Sequence, residues 1–108
     1  MPVKQLHIKG KVQGVFYRAS AKEIADKMGL KGWIRNKKDG SVEACIAGSE
    51  ESVQNFIAWC KKGPEGAVVT AVDIVDKESP EHFESFSIMR GQRHLQKMSL
   101  LAHFNPIV

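Results

Sequence analysis

Two segments of the chain carry one apolar stripe each at helical spacing, and this pattern constrains the fold more than any other. Both stripes follow the i, i+3, i+4, i+7 rule of an amphipathic helix. They are formed by Ala21, Ile24, Ala25 and Met28 in the first segment and by Val53, Phe56, Ile57 and Cys60 in the second. Because a helix with a single apolar face must bury it against another layer, we expect both helices to cover one face of a common sheet.

The ends of both helices are marked by residues with suitable capping chemistry. Gly29 suits the left-handed backbone position that commonly follows a helix. Ser49 is expected to cap the second helix, and the two glutamates that follow it are favoured beside the positive end of the helix dipole. Gly63 and Pro64 should end that helix, because proline has no amide hydrogen to donate to the preceding turn.

The segments outside the helices have the alternating, β-branched pattern of strands. The predicted strands are Val3–Lys9, Leu30–Asn36, Ser41–Ala47 and Val68–Val75, with a shorter one at Phe83–Met89. Lys37–Gly40 should form a hairpin turn, because its Asp-Gly pair is a strong turn signal.

The order β-α-β-β-α-β predicts an α+β fold, the ferredoxin-like sandwich, with a four-stranded antiparallel sheet and two helices on one face. We expect the other sheet face, which includes Cys45 and Ala47, to be left for solvent, a ligand or a partner. This fold serves many unrelated activities, so function has to be argued from individual residues.

The length and hydropathy of the chain predict one domain outside the membrane. A chain of 108 residues can form a single core but not two. No apolar run approaches the roughly 20 residues of a membrane span, and the first residues lack a signal peptide's apolar segment. We expect a cytoplasmic protein with a domain over residues 1–90 and a C-terminal extension over residues 91–108. Whether the extension packs as a helix or frays is left open.

The charge balance is compatible with an anionic partner. Sixteen Lys and Arg against 12 Asp and Glu give a net charge of +4, which suits either a phosphorylated small molecule or nucleic acid. Cys45 and Cys60 lack the spacing of metal ligands, and we expect both to be reduced thiols. We expect no metal or cofactor, and we interpret the histidines as surface or packing residues: His7, His82, His94 and His103.

The loop between the first strand and the first helix has the composition of an anion-binding cradle. In Gly10–Arg18, glycines allow successive N–H groups to converge on one point. The following helix N-terminus adds unpaired N–H groups, and Arg18 adds a planar fork of donors suited to phosphate oxygens. A strand-to-helix connection with a surface arginine is the simpler alternative, and spacing alone leaves both open.

Asn36 at the end of the second strand is the other candidate. Its carboxamide can donate and accept hydrogen bonds, so it could hold a water molecule without ionising. An asparagine that merely enters a turn is the more common interpretation of this residue taken alone.

Taken together, these two segments closely resemble the acylphosphatase family. Gly10–Arg18 matches the first family signature, G-x-V-Q-G-V-x-(F or Y)-R, at every specified position. The second signature is met by Gly32, Trp33, Asn36, Gly40, Val42 and Gly48. Ile34 is bulkier than the small residue usual at its position. The resemblance covers about residues 3–90.

The resemblance implies a metal-independent hydrolase of acyl phosphates. Arg18 would hold the phosphoryl oxygens together with backbone amides, and Asn36 would orient the attacking water. The amides implied by the family match are those of Gln13, Gly14, Val15, Phe16, Tyr17 and Arg18. The physiological acyl group is not identified by these motifs.

Two other classes of function share parts of this pattern. RNA-recognition domains have the same strand order but place stacking aromatics on the central strands, whereas Ser41–Ala47 contains none. A noncatalytic anion-binding module would need the cradle but not Asn36. We therefore expect an enzyme with neither nucleic acid nor membrane as partner, and a monomer, with association through the extension left open.

Overall fold

The computed structural model describes residues 2–77 and 83–90, which form five strands and two helices. The elements are β1 Val3–Lys11, α1 Tyr17–Lys27, β2 Lys31–Asn36, β3 Val42–Ala47, α2 Glu50–Lys62, β4 Val68–Asp76 and β5 Phe86–Met89. All the predicted elements are present, with ends shifted by a few residues at most. The predicted extension over residues 91–108 lies outside the described residues, as does His82.

The strands form one sheet in the order β4-β1-β3-β2-β5. β3 pairs antiparallel with both β1 and β2, and β4 pairs antiparallel with β1. The ferredoxin-like α+β prediction is confirmed, but the sheet has five strands rather than four. The added strand β5 pairs parallel with β2. Phe86 is 2% exposed and lies beside Phe56, and its burial keeps this segment next to β2.

The core lies between the sheet and the two helices, as the apolar stripes predict. The sheet contributes inward-facing side chains of β1, β2 and β3, and the helices contribute their predicted stripes. The most deeply buried members include Leu6, Ile8, Ile34, Val42, Ile46, Val53 and Phe56. Burial of such side chains is the main term that stabilises the fold.

The predicted caps of α2 are present. The Ser49 hydroxyl accepts a hydrogen bond from the backbone N–H of Ser52 at 3.1 Å, and Gly63 follows the helix with a φ of 74°. Gly29 has the left-handed backbone expected after α1, with a φ of 72°.

The other face of β3 is buried, so the expectation of an open face at Cys45 and Ala47 is wrong. These residues are 2% and 8% exposed. β3 is central, and the small Cys45 lies between Gln5 on β1 and Trp33 on β2. No disulfide joins Cys45 to Cys60, which is buried on the helix side of the described fold.

A largely buried ion pair lies on the same face of the sheet, between Arg35 and Glu43. The Arg35 guanidinium donates to Glu43 Oε1 at 2.6 Å, and the two side chains are only 17% and 11% exposed. Arg35 also lies over the Trp33 ring, 5.6 Å from its centroid. Arg35 is therefore held against the sheet by Glu43 and Trp33.

Within the described parts of the chain, neither helix has the length and apolar character needed to cross a membrane.

Tyr17 links the start of α1 to the end of α2. Its hydroxyl donates to the backbone carbonyl of Cys60 at 2.7 Å, and its ring lies 5.2 Å from that of Trp59. The Cys60 carbonyl needs this donor, because its helical partner would be the nitrogen of Pro64, which carries no hydrogen. Burial raises the pKa of the Tyr17 hydroxyl. It also raises the pKa of the Cys60 thiol, to about 12, so both groups stay neutral.

We predict that Tyr17→Phe lowers the free energy of unfolding by about 1–2 kcal/mol, because it leaves a buried carbonyl without a donor. The phenyl ring is retained, so the packing against Trp59 is preserved. Urea denaturation of the variant and the unmodified protein measures the difference. An unchanged unfolding midpoint would show that the hydrogen bond contributes nothing to stability.

Candidate active site

The directions of the strands bring three chain segments to one edge of the sheet. Because β1 and β2 are both antiparallel to β3, they run parallel to each other, and β5 is parallel to β2. The carboxyl ends of all three strands therefore lie at the same edge. The loop after β1, Asn36 at the end of β2 and Arg90 after β5 are thereby brought together.

The loop after β1 has an alternating backbone conformation that turns N–H groups toward one point. Gly14 and Phe16 have φ angles of 78° and 63°, on either side of Val15. Alternation of left- and right-handed residues produces a concave nest of N–H groups that binds anions. Phe16 is the one residue other than glycine with a positive φ in the described chain.

The N-terminus of α1 adds further N–H groups to this nest. Phe16 occupies the N-cap position without a side-chain hydrogen bond, and the first turn of α1 contains no acidic residue. By contrast, α2 is capped by Ser49 and followed by two glutamates. The unpaired N–H groups and dipole of α1 therefore favour an external anion.

A pocket of about 430 Å³ lies at this edge and gathers most of the predicted site residues. Arg18 and Asn36 line it together with the loop, so the two signature segments meet in one place. Its lining consists of Val12, Gln13, Gly14, Phe16, Tyr17, Arg18, Ala19, Asn36, Ile88 and Arg90. Val15 is absent from this lining because its side chain packs against the core.

Gly10, the first glycine of the signature, has a structural role outside the pocket. Its φ is 123°, and a Cβ at this position would lie 2.1 Å from the carbonyl oxygen of Val68 on β4. Only glycine permits this close approach of the two strands, which coincides with a register shift between Lys9 and Gly10. Gly10 therefore permits the pairing of β1 with β4 and does not line the pocket, whereas Gly14 lines it and has a φ of 78°.

Two guanidinium groups line the pocket. Partial burial of Arg18, reinforced by the charge of Arg90, lowers the pKa of the Arg18 guanidinium from its usual range. An arginine remains protonated after such a shift. No acidic side chain in residues 2–77 or 83–90 forms an ion pair with either arginine. Within these residues, neither positive charge is neutralised by a carboxylate, which favours an anion in the pocket.

Asn36 has a buried polar atom without a partner. Among residues 2–77 and 83–90, no group donates a hydrogen bond to its side-chain oxygen, Oδ1. A buried acceptor left in this state costs about 1–3 kcal/mol, so such atoms call for an explanation. Asn36 itself lines the pocket, so its carboxamide lies close to whatever the pocket binds.

Gln13 connects the loop to the hairpin that follows Asn36. Its side-chain amide, Nε2, donates to the backbone carbonyls of Lys37 and Ser41, at 2.8 Å in both cases. The hairpin is closed by the Lys37 N–H, which donates to the same Ser41 carbonyl at 2.9 Å. The sequence predicts only a backbone role for Gln13, whereas its side chain sets the position of the hairpin relative to the cradle.

Four lining residues were not predicted as part of the site: Val12, Ala19, Ile88 and Arg90. Arg90 directly follows the last strand, and the basic residue at a strand end was the only available signal. This signal places Arg90 near Asn36 only when β5 is known to run parallel to β2, because the two strands then end at the same sheet edge. In the described part of the chain, no group of three or more His, Cys, Asp or Glu side chains could hold a metal ion.

The fold and the pocket define a ferredoxin-like domain with a pocket lined by two arginines and a glycine-containing loop at one sheet edge. The acylphosphatase family model matches residues 4–88. An acylphosphatase of Azoarcus sp. is 49% identical over 76 residues, which cover 70% of this chain and 78% of the relative. An acylphosphatase of Pyrobaculum islandicum is 48% identical over 85 residues, 78% of this chain and 90% of the relative.

Solved structures agree with this result. The crystal structure of acylphosphatase from Bacillus subtilis has a TM-score of 0.80 and 35% identity, covering 82% of this chain and 99% of that one. The chain belongs to the acylphosphatase family. It is a hydrolase, as its relatives' names state.

We predict that Gln13→Leu loosens the hairpin without unfolding the domain. Loss of two hydrogen bonds should lower the free energy of unfolding by about 1–2 kcal/mol. Hydrogen exchange at the Gly40 amide, which donates to the Lys37 carbonyl, should become several-fold faster. Gln54→Leu, on the exposed face of α2, is the matched control. Equal exchange in both variants would contradict a clamping role for Gln13.

Proposed function

We propose that the protein hydrolyses the carboxyl–phosphate bond of acyl phosphates by in-line attack of a water molecule. The observation that carries this proposal is the composition of one pocket. Arg18, residues of the nest and the carboxamide-bearing Asn36 all line it. The first two suit a phosphoryl group, and the third suits a water molecule beside it.

In this proposal the phosphoryl group is held by the loop and by Arg18. The backbone amides of residues 13–18 donate to its oxygens, and the guanidinium of Arg18 donates from its planar fork. Charge builds up on the oxygens around phosphorus during phosphoryl transfer, so donors fixed before the reaction lower its barrier. Arg90 adds positive charge to the same pocket.

Asn36 is proposed to orient the attacking water. Oδ1 accepts one hydrogen of the water, which turns a lone pair of its oxygen toward phosphorus. The Gln13 hydrogen bonds to the hairpin support this placement, because they connect the strand end that carries Asn36 to the phosphate cradle. Such positioning is worth orders of magnitude in rate when the geometry is productive.

The proposed step needs no further catalytic group. The water oxygen forms a bond to phosphorus, while the bond from phosphorus to the acyl oxygen breaks. The electron pair leaves with the carboxylate, and both water hydrogens remain on the dihydrogen phosphate product. A carboxylate is a stable anion and leaves without protonation, so no general acid is required. The loose transition state of phosphoryl transfer also reduces the demand for a strong base.

A noncatalytic anion-binding role explains less of the site. A module that only held phosphate would use Arg18 and the nest, and it would not need the carboxamide of Asn36 in the same pocket. The presence of Asn36 beside Arg18 therefore favours hydrolysis over binding alone.

We predict that Arg18→Gln lowers kcat/KM for benzoyl phosphate by about 10²–10³-fold, because the phosphoryl group loses its fixed positive charge. Arg18→Lys keeps the charge but loses the planar fork, so its activity should be intermediate. The measurement is phosphate release with EDTA present, which we expect not to affect the unmodified protein. Equal activity of all three proteins would exclude Arg18 from the site.

We predict that Asn36→Ala lowers kcat by about 10²-fold and leaves inhibition by inorganic phosphate nearly unchanged, because the phosphate cradle is intact. Asn55→Ala on the exposed face of α2 is the matched control and should be fully active. If the folded, unmodified protein releases no phosphate but still binds it, the noncatalytic alternative would replace our proposal.

A further inference from the structure

Phe16 has an unusual combination of backbone conformation and exposure. Its φ and ψ are 63° and 28°, in the left-handed region that bulky residues avoid. Its side chain is also 82% exposed, more than the other large exposed hydrophobic residues of the described chain, Val68, Ile74 and Val75, at 42–58%. Both features are unfavourable, and they occur together at the pocket.

The backbone of the nest does not explain the aromatic ring. A glycine would adopt the same angles without strain, as Gly14 does two residues earlier. A glycine would also expose no apolar surface to water. The ring is excluded from the core as well, because Phe16 is not among the residues packed there. Its purpose has to be sought in the pocket that it lines.

The position of Phe16 suits the part of the substrate that lies beyond the phosphate. Under the proposed function, the nest amides and Arg18 hold the phosphoryl group, so the acyl group must extend toward the mouth of the pocket. Phe16 lines that pocket while remaining largely in solvent, which places its ring at the mouth. Ala19 and the half-buried Ile88 add further apolar surface to the same lining.

We propose that Phe16 is a specificity-determining residue that selects acyl phosphates with a flat, apolar acyl group, above all an aromatic one. The acyl group stacks on the Phe16 ring, an arrangement that aromatic pairs favour beyond simple area burial. This inference rests on the proposed function, since the phosphate must be anchored in the cradle for the acyl group to reach the ring.

Arg90 suggests a different kind of substrate, in which the acyl group itself carries a second negative charge. The charge of Arg90 acts on Arg18 closely enough to lower the pKa of that guanidinium. Arg90 therefore adds to the positive potential around Arg18 in the same pocket. A preference for an anionic acyl group that depends on Arg90 would contradict our proposal.

The test compares kcat/KM for benzoyl phosphate and acetyl phosphate, which share the phosphate and differ in the acyl group. We expect the benzoyl-to-acetyl ratio to fall about three- to tenfold in Phe16→Gly and in Phe16→Asn. Both replacements tolerate the left-handed backbone, so they remove the ring without adding strain. Phe16→Tyr keeps a ring and should retain the ratio, and Val75→Ala controls for an exposed apolar side chain elsewhere.

Three results would overturn the inference while leaving the proposed function standing. The first is an unchanged benzoyl-to-acetyl ratio in both Phe16→Gly and Phe16→Asn, which includes the case in which kcat/KM falls equally for the two substrates. The second is loss of the ratio in Phe16→Tyr as well. The third is a wild-type preference for a carboxylate-bearing acyl phosphate over benzoyl phosphate that Arg90→Gln abolishes. If the folded wild type hydrolyses neither benzoyl nor acetyl phosphate, the proposed function fails and this inference fails with it.

Discussion

The parallel alignment of β1, β2 and β5 is the constraint on which the site depends. It follows from the central position of β3, to which both β1 and β2 are antiparallel. Three strand ends then lie at one sheet edge, and each supplies a different component. The end of β1 leads into the cradle, β2 ends at Asn36, and β5 leads to Arg90. Burial of one apolar sheet face beneath two helices holds this arrangement in place.

The cradle itself is locally unfavourable and is stabilised by its surroundings. It contains a left-handed phenylalanine and a helix N-terminus with no side-chain cap, both of which cost free energy in isolation. The next residue, Tyr17, is 1% exposed and bonded to the end of α2. On the other side, Gln13 holds the hairpin. Strain is thus concentrated where an anion can offset it, between two well-anchored residues.

Much of the fold could be predicted because its signals are local. Apolar spacing located both helices, and Ser49 and Gly63 marked the ends of α2, since capping depends on a few neighbouring residues. The role of β5 was missed because four residues carry little pattern, and their parallel pairing depends on burial of Phe86 in a distant core. The burial of Cys45 was missed because it depends on larger side chains from two other strands.

The sequence by itself determined the order of the elements and, through its two signatures, the acylphosphatase family. Tertiary structure decided that Asn36 and Arg18 share a pocket, that Arg90 joins them, and that the Phe16 ring stands at the mouth. The physical reason is that periodicity and turn chemistry are properties of neighbouring residues. Proximity between strand ends depends instead on strand order and direction, which are set by burial of the whole core.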